Sequence, residues 1–545
     1  MKNKRFLFGL SSGILLALSF PPYPFFLFAF IGFIPILTVF RSVKRKWLLV
    51  YLVFFIYHYA TNWWISSWQK DTDPYLFVSG FAVAFIHPLL FMIPFLLLHF
   101  FSIKLGYKKS LFFFPFIWVF FEWLHSLGDL AYPWLTLGYT QAYNHYLIQI
   151  ADIGGVWLIS FLIVWVNVLI FFASDSAKSK HKIAFVHFIR NKYFLTALGL
   201  VFCGYIYGFF RSSQFDAFDL LEKHPKLRVA IVQPNINPWR KWDTSPLQQI
   251  EIHQQVQDSL SSVHSNIDLV VWSETAITFL DLDVNAYHNF KQFYNLIENK
   301  NFSLLTGFAD FVIHQTRDSI QFTTKFLYGD TTKPYDTYNS ILLLNPINPP
   351  QYQIYHKMRL TPFGEQIPYS QILGFAKKFL EWNVGISSWA KGEEQKILNL
   401  RTKTKSANIS PIICIESIYP NFVRSSVKLG GNIIAIITND GWYDHTFGPE
   451  QHFLIAKFRA IENRRFVARC ANTGISGFID PSGRTYHKAP PYRKIGITAD
   501  VPVLSFSTIY LELGDWICYI SIGIIAGCFI FTFRRRTASQ FGSVE

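Results

Sequence analysis

Charge is scarce in this chain. Only 16% of its 545 residues are Asp, Glu, Lys or Arg, where soluble proteins carry about 25%. With 51% hydrophobic residues and a mean hydropathy of +0.23, a wholly soluble protein is excluded in favour of a membrane protein with a sizeable polar part. Cysteine is scarce too. There are five: Cys203, Cys414, Cys470, Cys518 and Cys528. None forms a CxxC pair or stands at Cys/His ligand spacing, so no metal site is expected. A Cys414–Cys470 disulfide stays open at this level. No GxGxxG or GxxxxGK[ST] loop is present, so no nucleotide or other cofactor is expected. Internal repeats and low-complexity tracts are absent as well. The net charge of +15 does not point to nucleic acid, because most basic clusters flank apolar runs, as topology signals do.

What the chain has in abundance is apolar runs. Seven crowd the first 211 residues, with cores at Phe6–Phe20, Phe25–Phe40, Trp47–Tyr59, Leu76–Phe101, Ser110–Leu124, Gly154–Ala173 and Phe194–Phe210. An eighth, Leu513–Phe533, ends at Arg534-Arg535-Arg536. A spanning helix needs about 20 residues, so the shorter runs draw on their flanking aromatics, or one of them is re-entrant. With Lys2, Lys4 and Arg5 in the cytoplasm and sides alternating, the basic loops at 41–46, 104–109 and 178–192 and the terminal arginines all fall on the cytoplasmic side. That is the positive-inside pattern, and it puts the polar region outside. Residues 1–19 also resemble a signal peptide, but Pro21-Pro22 and the apolar run behind them favour an uncleaved first helix. The expected organisation is a transmembrane helical domain at 1–211, a polar domain at 212–512, and a closing helix with a basic tail at 513–545.

The polar domain alternates short β-rich runs with helical ones. Strands are predicted at 228–235, 269–274, 303–310, 340–346, 411–417, 433–440 and 466–474, and helices at 245–265, 287–299 and 449–465. Such alternation indicates an α/β domain with both sheet faces covered. The fold class expected is therefore a membrane α-helical bundle of about eight helices plus an extracytoplasmic α/β domain.

Reactive groups stand near strand ends, where functional groups gather in α/β sheets. Glu274 closes "LVVWSE", Lys357 lies in "YQIYHKMRLTPFGEQIPY" with Glu365 eight residues on, and Cys414 follows "PII" with Glu416 two residues later. A thiol needs a base to become a thiolate, which a glutamate supplies, and a lysine ammonium favours the thiolate and steadies an oxyanion. Singly, each has a structural reading: a core cysteine, a capping glutamate, a surface lysine, a turn-fixing glutamate. On strand geometry, Glu416 is expected on the same face as Cys414. His356 and His445 lie near these stretches and receive no role, and Cys470 is expected in the core.

Taken together, the residues resemble the nitrilase (carbon–nitrogen hydrolase) superfamily, which carries Glu, Lys and Cys in that chain order at strand ends. The whole chain is similar to the membrane-embedded apolipoprotein N-acyltransferase family. The matching stretches are "VQPNINPWRKWD" (232–243), "VVWSETA" (270–276), "HKMRLTPFGEQIP" (356–368), "CIES" (414–417), "TNDGWYDHTFGPEQH" (438–452), "RAIENRRFVARCANTGISGFIDPSGR" (459–484) and, in the apolar half, "YPWLTLGYTQ" (132–141). The resemblance implies an αββα nitrilase-like sandwich. It places a catalytic base at Glu274, a lysine at Lys357 and a nucleophile at Cys414, with Glu365 and Glu416 in support. Trp242, Trp442 and Tyr443 would be substrate-binding positions. The chain departs from the family with Ser273 for Pro, Ile415 for Tyr, and Tyr443-Asp444 for Phe-Gly, which concerns pocket contacts rather than the triad.

The activity so implied is ping-pong transfer of an acyl chain. It runs from a membrane phospholipid, through a Cys414 thioester, to the α-amine of the S-diacylglyceryl-cysteine of a lipoprotein. The implied setting is a bacterial inner membrane with the catalytic domain in the periplasm, both termini in the cytoplasm, and a monomeric chain. Aromatics around 60–75 and 132–146 would suit an interfacial entrance or an ordinary membrane belt. Two other functions share these features: a membrane-tethered amidase acting on a small soluble substrate, and a non-catalytic membrane receptor or scaffold.

Overall fold

A computed structural model describes the chain except residues 1, 67–73, 178–183, 265, 281–299, 315–322, 328–331, 347–350, 367, 370–388 and 542–545. The helix expected at 287–299 lies outside the described residues. The chain divides into two compact units, one comprising Met1–Ser66, Val78–Gln214 and Leu513–Glu545, the other Ser67–Phe77 and Phe215–Glu512.

The first unit is helical, as apolar runs must be where no water can satisfy the backbone. Among the described residues four stretches are long and apolar enough to cross a membrane: Lys46–Ser66, Ser79–Leu105, Leu147–Ala177 and Lys192–Lys223. Phe26–Val39 and Trp516–Thr532 are apolar but shorter. Prolines shape two of the expected runs. Leu76–Phe101 is broken into Pro74–Phe85, His87–Leu90 and Ile93–Leu105, with Pro88 and Pro94 at helix starts, where the missing N–H costs nothing. Phe25–Phe40 becomes a 3₁₀ turn, Phe26–Phe30, and a short helix entered through Pro35.

Buried polar side chains bind the irregular segments in. Asn167 accepts from the backbone N–H of Phe33 at 2.8 Å and donates to the Ala29 carbonyl at 2.8 Å. The "YPWLTLGYTQ" stretch forms two 3₁₀ turns, Pro133–Leu135 and Leu137–Gln141. Its free N–H groups find Glu122, 2.7 Å from Leu137 N, and Ser160, 2.8 Å from Gly138 N. Its aromatics Trp134 and Tyr139 are buried, which leaves Tyr143 and Tyr146 exposed in the 132–146 run.

The second unit holds two sheets. The first contains β1 (Lys226–Gln233), β2 (Leu269–Trp272), β3 (Ile277–Leu280), β4 (Ser303–Ile313), β5 (Lys325–Phe326), β6 (Pro334–Asn345), β7 (Gln351–His356) and, from the end of the unit, Ile495–Pro502. The second contains β8 (Leu398–Arg401), β9 (Ser406–Ile413), β10 (Ile433–Thr438), β11 (Phe466–Ala471), β12 (Gly477–Ile479) and β13 (Thr485–Tyr486). With Ile495–Pro502 as β14, the first sheet runs β14-β1-β2-β4-β6, with β3 on β4 and β5 and β7 on β6, and the second runs β13-β12-β11-β10-β9-β8. The centres are parallel (β1/β2/β4 and β9/β10/β11) and the flanks are mostly antiparallel.

The sheets pack face to face. The Cys470 thiol of β11 donates across the gap to the Val232 and Val271 carbonyls at 3.2 and 3.4 Å. On the outer face of the first sheet the Pro246–Val263 helix lays Ile250, Val256 and Leu260 against Val232, Val270 and Trp272. Helices Pro420–Lys428 and Gly448–Asn463 cover the second sheet. The result is helix, sheet, sheet, helix: an αββα sandwich whose central strands are apolar on both faces.

Candidate active site

Three loops leaving strand ends carry the candidate residues. Glu274 lies two residues past the end of β2, Lys357 one past β7, and Cys414 one past β9. The predicted strand 411–417 ends earlier than expected, at Ile413, because Cys414 turns into the left-handed region at φ 50° and opens a 3₁₀ turn, Cys414–Ile418. A side chain at positive φ is unfavourable in any residue but glycine, and such backbones cluster at active sites. Glu416 therefore reaches its place through a tight turn and not through strand alternation.

Lys357 is the hub. Its Nζ donates to Glu274 Oε1 at 3.2 Å and to Glu365 Oε1 at 2.8 Å, with all three side chains nearly shut off from solvent. Burial alone lowers its pKa, but the carboxylates of Glu274 and Glu365 and the nearby Cys414 hold it well above the ordinary lysine value. Burial likewise raises Glu365, and Lys357 more than offsets it, so that carboxyl sits below its usual range. The second Glu365 oxygen accepts from Thr361 N at 2.8 Å, closing the Pro-Phe-Gly-Glu turn.

Cys414 completes the cluster electrostatically. Burial pushes its thiol well up, and Glu274 adds to this, while Lys357 and the Thr438 hydroxyl pull it back. All five cysteines are free, so Cys414 is not bridged to Cys470, which lies in the core.

Glu416 holds the backbone on both sides. Its Oε1 accepts from Tyr355 Oη at 2.8 Å and from the N–H groups of Met358 and Arg359 at 2.7 and 3.2 Å. Its Oε2 accepts from Ile413 N at 2.8 Å. One carboxyl thus ties the residue before Cys414 to the residues after Lys357. Burial pushes it up to about 7, against the N–H groups of Ile413 and Met358.

The aromatic positions line the surroundings. Trp242 packs beside Trp389, ring centroids 6.2 Å apart, with Ala309 and Leu360. Trp442 meets Trp239 edge to face at 4.9 Å. The Tyr443 hydroxyl is pushed up by burial and then by Cys414 and Asp440. His356 bonds Asp310 at 2.8 Å and stacks on Tyr338, and exposed His445 packs on Tyr492.

Sequence reasoning misses two residues of the site. Asn339, on β6, donates from Nδ2 to Glu274 Oε1 at 2.8 Å and to Glu365 Oε1 at 3.1 Å, and its main-chain carbonyl accepts from Lys357 N at 2.8 Å. Lys241, buried, donates to the Glu274 carbonyl at 3.0 Å and the Thr275 hydroxyl at 2.8 Å. Lys241 stands inside the matched 232–243 stretch, whereas a lone asparagine in a strand gives no signal. Among the described residues no group of three His, Cys, Asp or Glu is placed to hold a metal ion.

Residues 12–169 match the apolipoprotein N-acyltransferase N-terminal domain, and residues 228–505 match the carbon-nitrogen hydrolase family. The chain is 32% identical to an apolipoprotein N-acyltransferase from Chlorobaculum tepidum, covering 96% of this chain and 95% of that one. It is 30% identical to apolipoprotein N-acyltransferase 1 of Treponema denticola, with coverages of 97% and 98%. A Geobacter metallireducens apolipoprotein N-acyltransferase matches at 28%, with coverages of 98% and 96%. A nitrilase-like αββα domain, a set of apolar membrane helices and near-full-length similarity together establish that this chain is a membrane protein of the apolipoprotein N-acyltransferase family.

Proposed function

We propose that Glu274, Lys357 and Cys414 are the base, the electrophilic cation and the nucleophile of a ping-pong acyl transfer from phospholipid to lipoprotein. The observation that carries this is the cluster itself: a buried ammonium bridging two carboxylates beside an unbridged thiol on a strained turn. Lys357 and Asn339 occupy Glu274 Oε1, which leaves Oε2 to take a proton. The thiol is raised, so the proton moves as the sulfur attacks rather than beforehand. The Sγ–acyl bond forms first, and the ester C–O bond breaks when the tetrahedral intermediate collapses. Lys357 neutralises the tetrahedral oxyanion, and Glu274 returns the proton to the departing lysophospholipid. The lipoprotein α-amine then attacks the thioester. The C–N bond forms, the C–S bond breaks, and Glu274 carries the amine proton back to sulfur.

Glu365 keeps Lys357 charged, and Glu416 sets the spacing between the lysine and cysteine loops. Trp242, Trp442 and Tyr443 would line the route of the acyl chain. The charge pattern supports eight spanning helices with the sandwich on the periplasmic face of the inner membrane and both termini in the cytoplasm. A monomer suffices, since one chain holds every group named.

The test is intact mass spectrometry of the purified chain with phospholipid. One acyl mass is expected on Cys414, discharged by a diacylated lipopeptide to a triacylated product, and absent in Cys414→Ser. Adduct formation without triacylated product would favour an amidase, and no adduct at all would remove the nucleophile.

A further inference from the structure

Behind Cys414, on the side away from Glu274 and Lys357 in the hydrogen-bond network, lies a second set of buried polar groups that the acyl-transfer scheme does not use. His452, on the Gly448–Asn463 helix, places Nδ1 2.8 Å from Asp440 Oδ1. Its Nε2 is 2.8 Å from Ser417 Oγ and 3.2 Å from the carbonyl oxygen of Cys414. Ser417 Oγ also donates to that carbonyl at 2.8 Å. Asp440 is fixed in turn by Arg469 Nη2 at 2.7 Å and by the Thr438 hydroxyl at 2.8 Å.

Asp440, His452 and Ser417 have the hydrogen-bond pattern of a Ser-His-Asp triad, but Ser417 is wholly buried and no substrate can reach its hydroxyl. What the set touches is the main chain of the nucleophile. Although burial raises Asp440, Arg469 and His452 hold it well below the usual carboxylate range. An ionised Asp440 has no proton to give, so Nδ1–H must donate to it, which orients the ring and turns the bare Nε2 towards the Ser417 hydroxyl, whose one proton is shared between Nε2 and the Cys414 carbonyl. Cys414 needs that help. Its φ of 50° is one a non-glycine residue holds only when its surroundings impose it. Because the peptide is planar, pinning the Cys414 carbonyl also fixes the direction of the Ile415 N–H.

We propose that His452, oriented by Asp440 and acting with Ser417, is a positioning residue that holds the Cys414 main chain in the left-handed turn presenting the thiol. This rests on the reading of Cys414 as the acylated residue. The experiment measures single-turnover acylation of Cys414 by phospholipid, with the full chain in detergent, for wild type, His452→Phe, His452→Gln and Ser417→Ala. Misplacing a reacting group by about 1 Å costs on the order of 100-fold. His452→Phe is therefore expected to slow acylation about 100-fold at unchanged phospholipid KM, with His452→Gln, which keeps an acceptor for the Ser417 hydroxyl, recovering part of the rate. Ser417→Ala is expected to slow it several-fold. It is also the variant to rely on if the phenylalanine form does not fold. Variants that lose thermal stability but acylate each competent site at the wild-type rate would overturn the proposal, as would a rise in KM with kcat unchanged. Absence of adduct in the wild type is a separate outcome, because it removes the nucleophile assignment itself.

Discussion

Asn339 is the position where the site's electrostatics can be tested by sign as well as by size. Its amide donates to both carboxylates that flank Lys357, at 2.8 and 3.1 Å. A hydrogen bond to a charged group contributes about 1.5–3 kcal/mol. The two share one donor nitrogen and one network, so they do not add, and Asn339→Ala is expected to cost about 2–4 kcal/mol of stability. If half of that falls on the placement of Glu274, acylation slows about 5- to 30-fold. Asn339→Asp keeps the shape and reverses the sign. It sets a third carboxylate at these same distances, and with an effective dielectric of about 20 each repulsion is about 5 kcal/mol before Lys357 offsets it. The aspartate form must therefore be worse than the alanine form at pH 8. Like-charge neighbours also raise the new carboxyl's pKa. As pH falls it takes up a proton, becomes a donor again, and acylation should recover relative to wild type. The assay is the rate of acyl-enzyme formation from pH 5.5 to 9, with thermal unfolding in parallel. An aspartate variant equal to wild type at pH 8, or faster than the alanine variant, would refute the role of Asn339 as the donor that holds the two carboxylates together.

Three further perturbations probe the supports of the site. In Glu416→Gln an amide NH₂ must face at least one of the four donors that now surround the carboxyl. This leaves a buried clash worth about 2–3 kcal/mol, and a lower melting temperature with at least 10-fold slower acylation is expected. In Gly307→Ala a Cβ would stand 2.5 Å from Thr275 N, 2.6 Å from Ser273 O and 2.7 Å from Glu274 Cα. These are backbone atoms that cannot swing away, so overpacking should cost about 3 kcal/mol and displace Glu274, read as lost acylation in the folded fraction. Burial, opposed by Glu274, lowers Lys241 to about 7, while the unfolded chain titrates it near the ordinary lysine value. Between those two values the unfolded chain holds a proton the folded chain has released, so this group's contribution to stability rises with pH by at most about 1.4 kcal/mol per unit. Lys241→Met should flatten that rise in melting curves taken from pH 7 to 9.5.

The central strands of the sandwich were readable because both faces are buried. Apolar runs such as "RVAIVQPN" and "IIAIITND" contain β1 and β10 within a few residues. The flanking strand β7 was not readable. β7 carries Tyr, Gln and His and takes its place from pairing with β6, a long-range contact with no local pattern. The same division runs through the site. Glu274, Lys357, Glu365 and Cys414 stand in stretches whose family resemblance is legible, and the fold brings Glu274 and Glu365 within hydrogen-bond reach of Lys357. The turn at Cys414 was not legible, because left-handed backbone at a cysteine has no signal in residue type. The alternation argument for Glu416 failed at that point.

The two ends of the proposed proton transfer are built alike. Glu274 is followed by Thr275 at φ 45°, and Cys414 itself is at φ 50°. At each the chain leaves a parallel strand through a left-handed residue, which breaks the strand's regular alternation at the functional side chain. Each turn is held by a buried group on a helical element acting on a main-chain carbonyl: Lys241 donates to that of Glu274, and His452 acts on that of Cys414 through the Ser417 hydroxyl. Unfavourable backbone at both positions persists only where the surroundings over-determine it, and here those surroundings come from different layers of the sandwich. Lys241 lies in the 3₁₀ turn Lys241–Asp243 ahead of the Pro246–Val263 helix, and His452 lies on the Gly448–Asn463 helix over the other sheet. The meeting of carboxylate and thiol is therefore set by how the two sheets pack. Core substitutions between them, such as Cys470→Ala, which removes the thiol bonded to β1 and β2, should slow acylation before they unfold the domain. Unchanged acylation in a Cys470→Ala protein of lowered melting temperature would separate packing from catalysis and defeat this view.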